Sequence, residues 1–271
     1  MKANINMEII DLHSHLLPAV DDGAQSLDQA LTLARLAVDE GISKLVLTPH
    51  HYNPQFINHA QGVIEACDRL QSAIDREQIP LKVFPSQEIR IHEDLIDHLY
   101  NEDLLCLDEQ GRYLLLEFPT QSVPDYSIRL IKQLLDLGIR PVIAHPERNQ
   151  RFGQDLTLLA EMVEMGCIGQ VTTSSLAGAF GPKYQEISFQ MIDANLCHFM
   201  ASDCHHQEWR PFNYQLACEV LASHYSKNKV DQFLEVAEAI FWGHELPLAP
   251  VQLVEEDKSL WRKVWGFFKE K

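Results

Sequence analysis

No apolar run in this 271-residue chain approaches the roughly 20 residues that a membrane-spanning helix needs. The opening MKANINMEII is too short and too polar ahead of the first apolar run to read as a secretory signal. Cysteine is sparse and unpatterned. Cys67, Cys106, Cys167, Cys197, Cys204 and Cys218 form no C-x-x-C pair and no regular framework, which excludes a disulfide scaffold and a thiolate zinc site. Several of them sit inside apolar segments, as buried thiols do, and a reducing, cytoplasmic compartment is expected. Positive charge is scarce: 22 Lys and Arg face 39 Asp and Glu, for a net charge of −17, so nucleic acid and anionic membranes are poor partners for the bulk of the surface. No linker, low-complexity tract or internal repeat is visible. What is present is an ordinary globular composition, 46% hydrophobic and 23% charged. The length suits one large domain or two small ones, and a single α/β barrel matches it.

Short β-rich apolar runs alternate with helical stretches. The runs are EIIDL (residues 8–12), KLVLT (44–48), LKVFP (81–85), YLLLEF (113–118), RPVIA (140–144), CIGQVT (167–172) and CHFMAS (197–202). They are nearly continuous in hydrophobicity, as strands buried on both faces are. Between them, SLDQALTLARLAVDEG has Ser26 as N-cap and Gly41 just past its end, with Ala30, Leu33, Ala34 and Ala37 on one face. VPDYSIRLIKQLLDLG and DLTLLAEMVEMG follow the same grammar, ending at Gly138 and Gly166. Alternating β and α elements imply parallel strands. Seven units suggest a closed (β/α) barrel, with a doubly wound open sheet as the rival. The chain turns helical from about residue 213 onward.

In a parallel barrel, chemistry collects at the C-terminal strand ends. Here those ends carry His13 and His15; His50 and His51; Glu88; Glu117; His145, Glu147 and Arg148; Thr172, Thr173 and Ser174; and Asp203, His205 and His206. Six of the seven deliver His, Asp or Glu to one mouth. His13 and His15 share a parity and enter together, and Asp22 follows in a loop that can fold back over them. Histidine with carboxylate and no thiolate suits Zn²⁺, Mn²⁺ or Fe. About nine donors are too many for one ion and fit two or three. Such clusters clamp a phosphoryl group and activate water near neutral pH, and they offset the negative charge locally. Arg148 and Arg210 lie just past two donor groups, and guanidinium forks suit phosphate oxygens.

DLHSH, VDDG, TPHH, QEI, LLEFP, VIAHPER and ASDCHH, in that order, resemble the PHP (polymerase and histidinol phosphatase) superfamily. The nearer resemblance is to its bacterial tyrosine-phosphatase branch of capsule and exopolysaccharide biosynthesis, and it runs from about residue 8 to 245. It implies a distorted (β/α)7 TIM-like barrel over residues 1–250, with 251–271 as a C-terminal amphipathic helical extension. It further implies a trinuclear, usually manganese-dependent site. His13, His15 and Asp203 would bind one ion, and Glu88 would bridge two. Glu117 and His145 would complete the second, while Asp22, His50 and His205 would hold the third. Arg148 and Arg210 would bind the phosphate. The implied substrate is the phosphotyrosine-rich tail of a tyrosine autokinase of polysaccharide export. Ser86 stands where the family often has glycine, and Thr173 where asparagine is common.

Several alternatives stay open. Asp21 competes with Asp22 as the donor, and His51 and His206 adjoin donors and suit supporting roles. Cys204 and Arg210 have the C-x5-R spacing of cysteine-dependent tyrosine phosphatases. That mechanism needs a phosphate loop of backbone N–H groups, whereas this loop lacks glycine and runs into Pro211, so chance spacing is the reading adopted. A small-molecule phosphatase, such as one acting on histidinol phosphate, is the runner-up, and a catalytically dead scaffold domain is a third reading. A proofreading nuclease is disfavoured for want of a basic track. In KSLWRKVWGFFKEK (258–271), Leu260, Trp261, Val264, Trp265 and Phe268 share a helical face among basic residues. Docking on the barrel or on a second subunit is preferred over a membrane surface for it.

Overall fold

The computed structural model describes residues 8–101 and 103–252. The aromatic and basic stretch 258–271 lies outside the described residues. Among those described are nine strands: β1 (Ile9–Ser14), β2 (Ile42–Leu47), β3 (His50–His51), β4 (Lys82–Pro85), β5 (Glu88–Arg90), β6 (Tyr113–Glu117), β7 (Arg140–Ala144), β8 (Ile168–Thr172) and β9 (Phe199–Ala201). Every pairing between them is parallel, in the orders β1-β2-β4 and β3-β5-β6-β7-β8-β9.

Nine strands appear where seven runs were read because pairing resumes just beyond two of the runs, at β3 and β5. Pro49, which has no N–H to give to a ladder, separates β2 from β3, and Ser86–Gln87 separates β4 from β5. The segments stay side by side through the gap: Ser86 N–H donates to Leu47 O at 2.8 Å and Glu88 N–H to Pro49 O at 3.2 Å. The first and last strands meet at their C-terminal ends. Ser14 and Cys204 form a parallel bridge, and Asp203 N–H donates to His13 O (2.8 Å) and His15 N–H to Cys204 O (2.9 Å). Seven strand segments in a distorted (β/α)7 arrangement therefore direct their C-terminal ends to one mouth.

The helices follow their caps. Ser26 accepts from Gln29 N–H at the start of Leu27–Asp39, whose Ala30, Leu33, Ala34 and Ala37 are buried as the periodicity requires. Helices Leu27–Asp39, Ser127–Asp136 and Leu156–Met165 are each followed by a glycine in the left-handed region, at Gly41, Gly138 and Gly166. Helices Tyr214–His224 and Lys227–Phe241 are the last elements among the described residues, the latter packing on β1 and β9. The strands are buried on both faces, with Leu12, Leu45, Leu114, Val142, Ile168 and Phe199 in one continuous apolar core. Each such side chain contributes about 1.5–3 kcal/mol on burial. β8 needs Gly169, since a Cβ there would sit 2.1 Å from Leu196 O. No helix among the described residues is long and apolar enough to cross a membrane.

Candidate metal centre

The strand ends deliver the expected side chains to one buried cluster. His13 at the end of β1 and His15 just beyond it bring their Nε2 atoms to 3.2 Å of each other. Each Nε2 is 3.4 Å from Glu88 Oε2, on β5, and 3.4 Å from Asp203 Oδ1, beyond β9. All four donor atoms lie within 4.8 Å of one another, close enough to share one divalent ion at the ~2 Å bond lengths of nitrogen and oxygen ligands. Outside this group, His50 Nδ1 is 2.8 Å from Glu88 Oε2 and 3.8 Å from Glu117 Oε2. Asp22 Oδ1 is 3.3 Å from His50 Nε2 and 3.4 Å from His205 Nε2. His145 Nε2 meets the other oxygen of Glu88, Oε1, at 2.7 Å.

Hydrogen bonding shows that the donors fit a cation. Glu88 Oε2, Glu117 Oε2, Asp203 Oδ1, His50 Nδ1 and His205 Nε2 are buried and make no well-directed hydrogen bond, although His50 Nδ1 stands 2.8 Å from Glu88 Oε2 and Arg90 2.9 Å from Glu117 Oε2. Leaving that many polar atoms unsatisfied in the interior costs several kcal/mol unless something binds there. Three histidines are tethered through Nδ1 so that Nε2 faces inward. His13 Nδ1 meets Gln170 Oε1 at 2.9 Å, His15 Nδ1 meets Asp21 Oδ2 at 2.7 Å, and His205 Nδ1 meets the Asp203 carbonyl at 2.9 Å. Those oxygens only accept, so Nδ1 carries the proton and Nε2 keeps its lone pair for a metal.

This geometry separates Asp21 from Asp22. Asp21 is buried and satisfied, taking His15 Nδ1 and the Gly23 and His50 N–H groups. Asp22 turns its carboxylate to His50 and His205. The grouping differs in places from the one the resemblance implies. His15 stands within reach of His50, Asp22 and His205 as well as of His13, and Glu117 groups with His50 and Glu88. Arg148 Nη1 and Arg210 Nη2 both pair with Asp203 Oδ2. Arg210 Nε is buried and unpartnered.

The charges are strongly coupled. Burial alone would push the Asp203 carboxyl up, but Arg210 and Arg148 hold it well below the usual range. Burial would depress His15, yet the charge of Asp21 and bonds to Asp203 and Glu88 raise it well above an ordinary histidine. Burial would depress His50 too, but the charge of Glu88 and bonds to Asp22 and Glu88 together raise it to about 10. Glu117 is raised by burial and by the charge of Glu88. His145 and Asp203 have left-handed backbones, φ +34° and +52°, where the chain turns out of its strand. Non-glycine residues there cost of the order of 1–3 kcal/mol and cluster at functional sites.

Three contributors escaped the sequence reading: Asp21 as a tether, Gln170 and Arg90. The one signal of Gln170 in the sequence is that it is the lone amide in an apolar strand. Arg90, two residues beyond Glu88 on the same strand face, pairs with Glu117 at 2.9 Å. In a further group, His51, His59 and Asp103, His59 Nδ1 is 2.9 Å from Asp103 Oδ2, while the buried His51 Nε2 has no hydrogen-bond partner. Asn58 N–H donates to His51 Nδ1 at 3.1 Å, so the proton sits on Nε2, facing Asp103 at 3.5 Å. Cys204 is fully buried, and its thiol is pushed well above its ordinary value by burial and by Asp11 and Asp203, which leaves it no nucleophilic role.

Parallel strands with histidines and carboxylates converging at their C-terminal ends are the architecture of a metal-dependent hydrolase. The chain belongs to the capsular polysaccharide synthesis CpsB/CapC family, whose model matches residues 9–241. It is 40% identical over 260 residues to the tyrosine-protein phosphatase YwqE of Bacillus subtilis (strain 168), covering 96% of this chain and all of that protein. It is 39% identical over 204 residues to the putative tyrosine-protein phosphatase CapC of Staphylococcus aureus, covering 75% and 80%. A solved structure from the pair YwqE of Bacillus subtilis and CpsB of Streptococcus pneumoniae, described as unique metal-dependent tyrosine phosphatases, superposes with a TM-score of 0.88 at 40% identity. It covers 91% of this chain and 99% of that one. The phosphotriesterase homology protein of Escherichia coli, at 14% identity and a TM-score of 0.52 over 88% of this chain and 99% of that one, shares the fold.

Proposed function

We propose that the chain is a metal-dependent protein-tyrosine phosphatase, acting on the phosphotyrosine tail of a tyrosine autokinase that controls capsule or exopolysaccharide synthesis and export. The observation that carries this reading is the four-donor group of His13, His15, Glu88 and Asp203, with its unpartnered carboxylate oxygens. The names of the relatives, tyrosine-protein phosphatases, and of the family, capsular polysaccharide synthesis, support a phosphotyrosine substrate in that setting. The chain works as one barrel unit, residues 1–250, in the cytoplasm, and 251–271 is an extension.

His13, His15, Asp22, His50, Glu88, Glu117, His145, Asp203 and His205 would hold two or three divalent ions, Mn²⁺ first, with Fe or Zn²⁺ as alternatives. When bound, such ions polarise phosphoryl oxygens and acidify water. Asp21 and Gln170 fix the histidine tautomers. Arg148 and Arg210, pinned through Asp203, offer their remaining N–H groups to the non-bridging oxygens of the phosphate. The unpartnered Arg210 Nε is one such donor. Tyrosinate leaves readily, with a reference pKa near 10, so no strong general acid is required. The test is hydrolysis of a phosphotyrosine peptide by chelator-stripped protein, with and without Mn²⁺, beside a His145→Ala control. Activity returns with Mn²⁺ and is absent from the variant; activity that survives both stripping and substitution overturns the reading.

A further inference from the structure

Resting on the phosphotyrosine reading, we propose that Trp209 is the platform on which the phenyl ring of the substrate packs, and so the residue that selects aryl over alkyl phosphate esters. Trp209 is 54% exposed, on the short turn between the candidate donor His205 and Arg210. An isolated exposed apolar residue needs no explanation, but this one is held in place. His205 and His206 N–H both donate to Arg210 O, at 3.0 and 3.2 Å, closing the turn, and Glu208 N–H donates to His206 Nδ1 at 3.1 Å. The His206 ring then stacks on the indole, with centroids 5.1 Å apart and planes 16° apart. One face of Trp209 is thus backed by His206, and its orientation is set before any ligand arrives.

The indole centroid is 6.4 Å from the ring of His205. Arg210, the next residue, is tied to Asp203 at the heart of the donor cluster. A phosphoryl group seated between the cluster and Arg210 places its ester substituent one bond away, beside the indole. A flat, rigid aromatic wall there favours a flat aromatic substituent. Stacking of this kind adds about 0.5–1.5 kcal/mol beyond area burial, or roughly 2- to 13-fold in affinity. A flexible alkyl chain gains little from it. The contact lies away from the reacting phosphorus, so it strengthens substrate and transition state alike and is read in KM.

The experiment uses the Mn²⁺-loaded full chain and measures KM and kcat for a phosphotyrosine peptide together with the inhibition constant of inorganic phosphate. In Trp209→Ala the peptide KM rises about tenfold, kcat stays within about twofold, and phosphate inhibition is unchanged; Trp209→Phe stays close to wild type. An unchanged peptide KM in Trp209→Ala overturns the proposal. So does an equal rise in the phosphate constant, which would place Trp209 in the shaping of the phosphate site itself. Wild-type protein that binds inorganic phosphate and hydrolyses no phosphotyrosine peptide overturns the phosphotyrosine reading, and this inference falls with it.

Discussion

Replacing Asp21 by Asn keeps the size of the side chain and removes one acceptor. In the native protein Asp21 Oδ2 receives His15 Nδ1 at 2.7 Å and His50 N–H at 3.2 Å, while Oδ1 receives Gly23 N–H at 2.9 Å. Three donors converge on two oxygens. An asparagine has one oxygen and one NH₂, so one orientation strands Gly23 N–H and the other strands His15 and His50. The cheaper choice turns the amide oxygen to His15. It forfeits one buried hydrogen bond and exchanges a charged acceptor for a neutral one at His15, each worth about 1 kcal/mol. The second loss bears on metal binding, because the anionic acceptor makes His15 Nε2 more basic. Metal affinity in Asp21→Asn therefore falls about 10- to 100-fold, or roughly 1.4–2.7 kcal/mol. Competition against a chelator of known affinity reads this directly. Unchanged affinity would refute the tether role. Complete loss of binding would also refute it, since that belongs to the removal of a direct donor such as Asp203.

Cys204→Ser retains hydrolysis of the phosphotyrosine peptide within a fewfold, because the thiol is buried and held protonated; loss of turnover with metal content intact would restore a cysteine mechanism. Gly23→Ala destabilises the fold by about 1–3 kcal/mol in denaturant unfolding, and it lowers metal content. A Cβ there would lie 2.0 Å from His15 O and 2.6 Å from His15 Cβ; wild-type stability would contradict the stated packing. Metal binding at pH 7 releases protons, since His50, raised to about 10, and His15, raised well above its usual value, are charged in the metal-free protein. Affinity accordingly climbs with pH, and calorimetry in buffers of different ionisation enthalpy counts the protons; no buffer dependence would be the contrary result. His198 and His51 are lowered to about 4, mainly by burial, and each accepts a backbone N–H through Nδ1. Below about pH 6.5 the unfolded chain takes up protons that the folded one refuses. Their contribution is complete above 6.5 and lost as pH falls towards 4. His198→Asn narrows that loss in acid unfolding curves, and an unaltered acid limb would exclude His198 as a source.

The alternation of strands and helices was legible because fully buried parallel strands are continuous in hydrophobicity, as in YLLLEF and RPVIA, and because Gly41, Gly138 and Gly166 mark where helices stop. The donors were legible for a related reason: a histidine or carboxylate directly after an apolar run has one place to go in a barrel. The resumption of pairing at His50–His51 and Glu88–Arg90 was not visible, since these short segments are led by polar donors and lie beyond the apolar runs that end at Thr48 and Pro85. Neither was the division of labour between Asp21 and Asp22. Adjacent aspartates in a loop look alike until the turn at Gly23 directs one beneath His15 and the other over His50 and His205. Gln170 was hidden differently. Its partner His13 is 157 residues away, and only the closure of strand segments around one mouth brings them together.

Anomalous diffraction at the manganese edge, from crystals of the full chain grown with Mn²⁺, tests the central claim most directly. The account predicts a peak about 2 Å from His13 Nε2, His15 Nε2, Glu88 Oε2 and Asp203 Oδ1, with at least one more among His50, Asp22, His205, Glu117 and His145. A mouth without any anomalous peak, its carboxylates satisfied by water or by one another at saturating Mn²⁺, would contradict it.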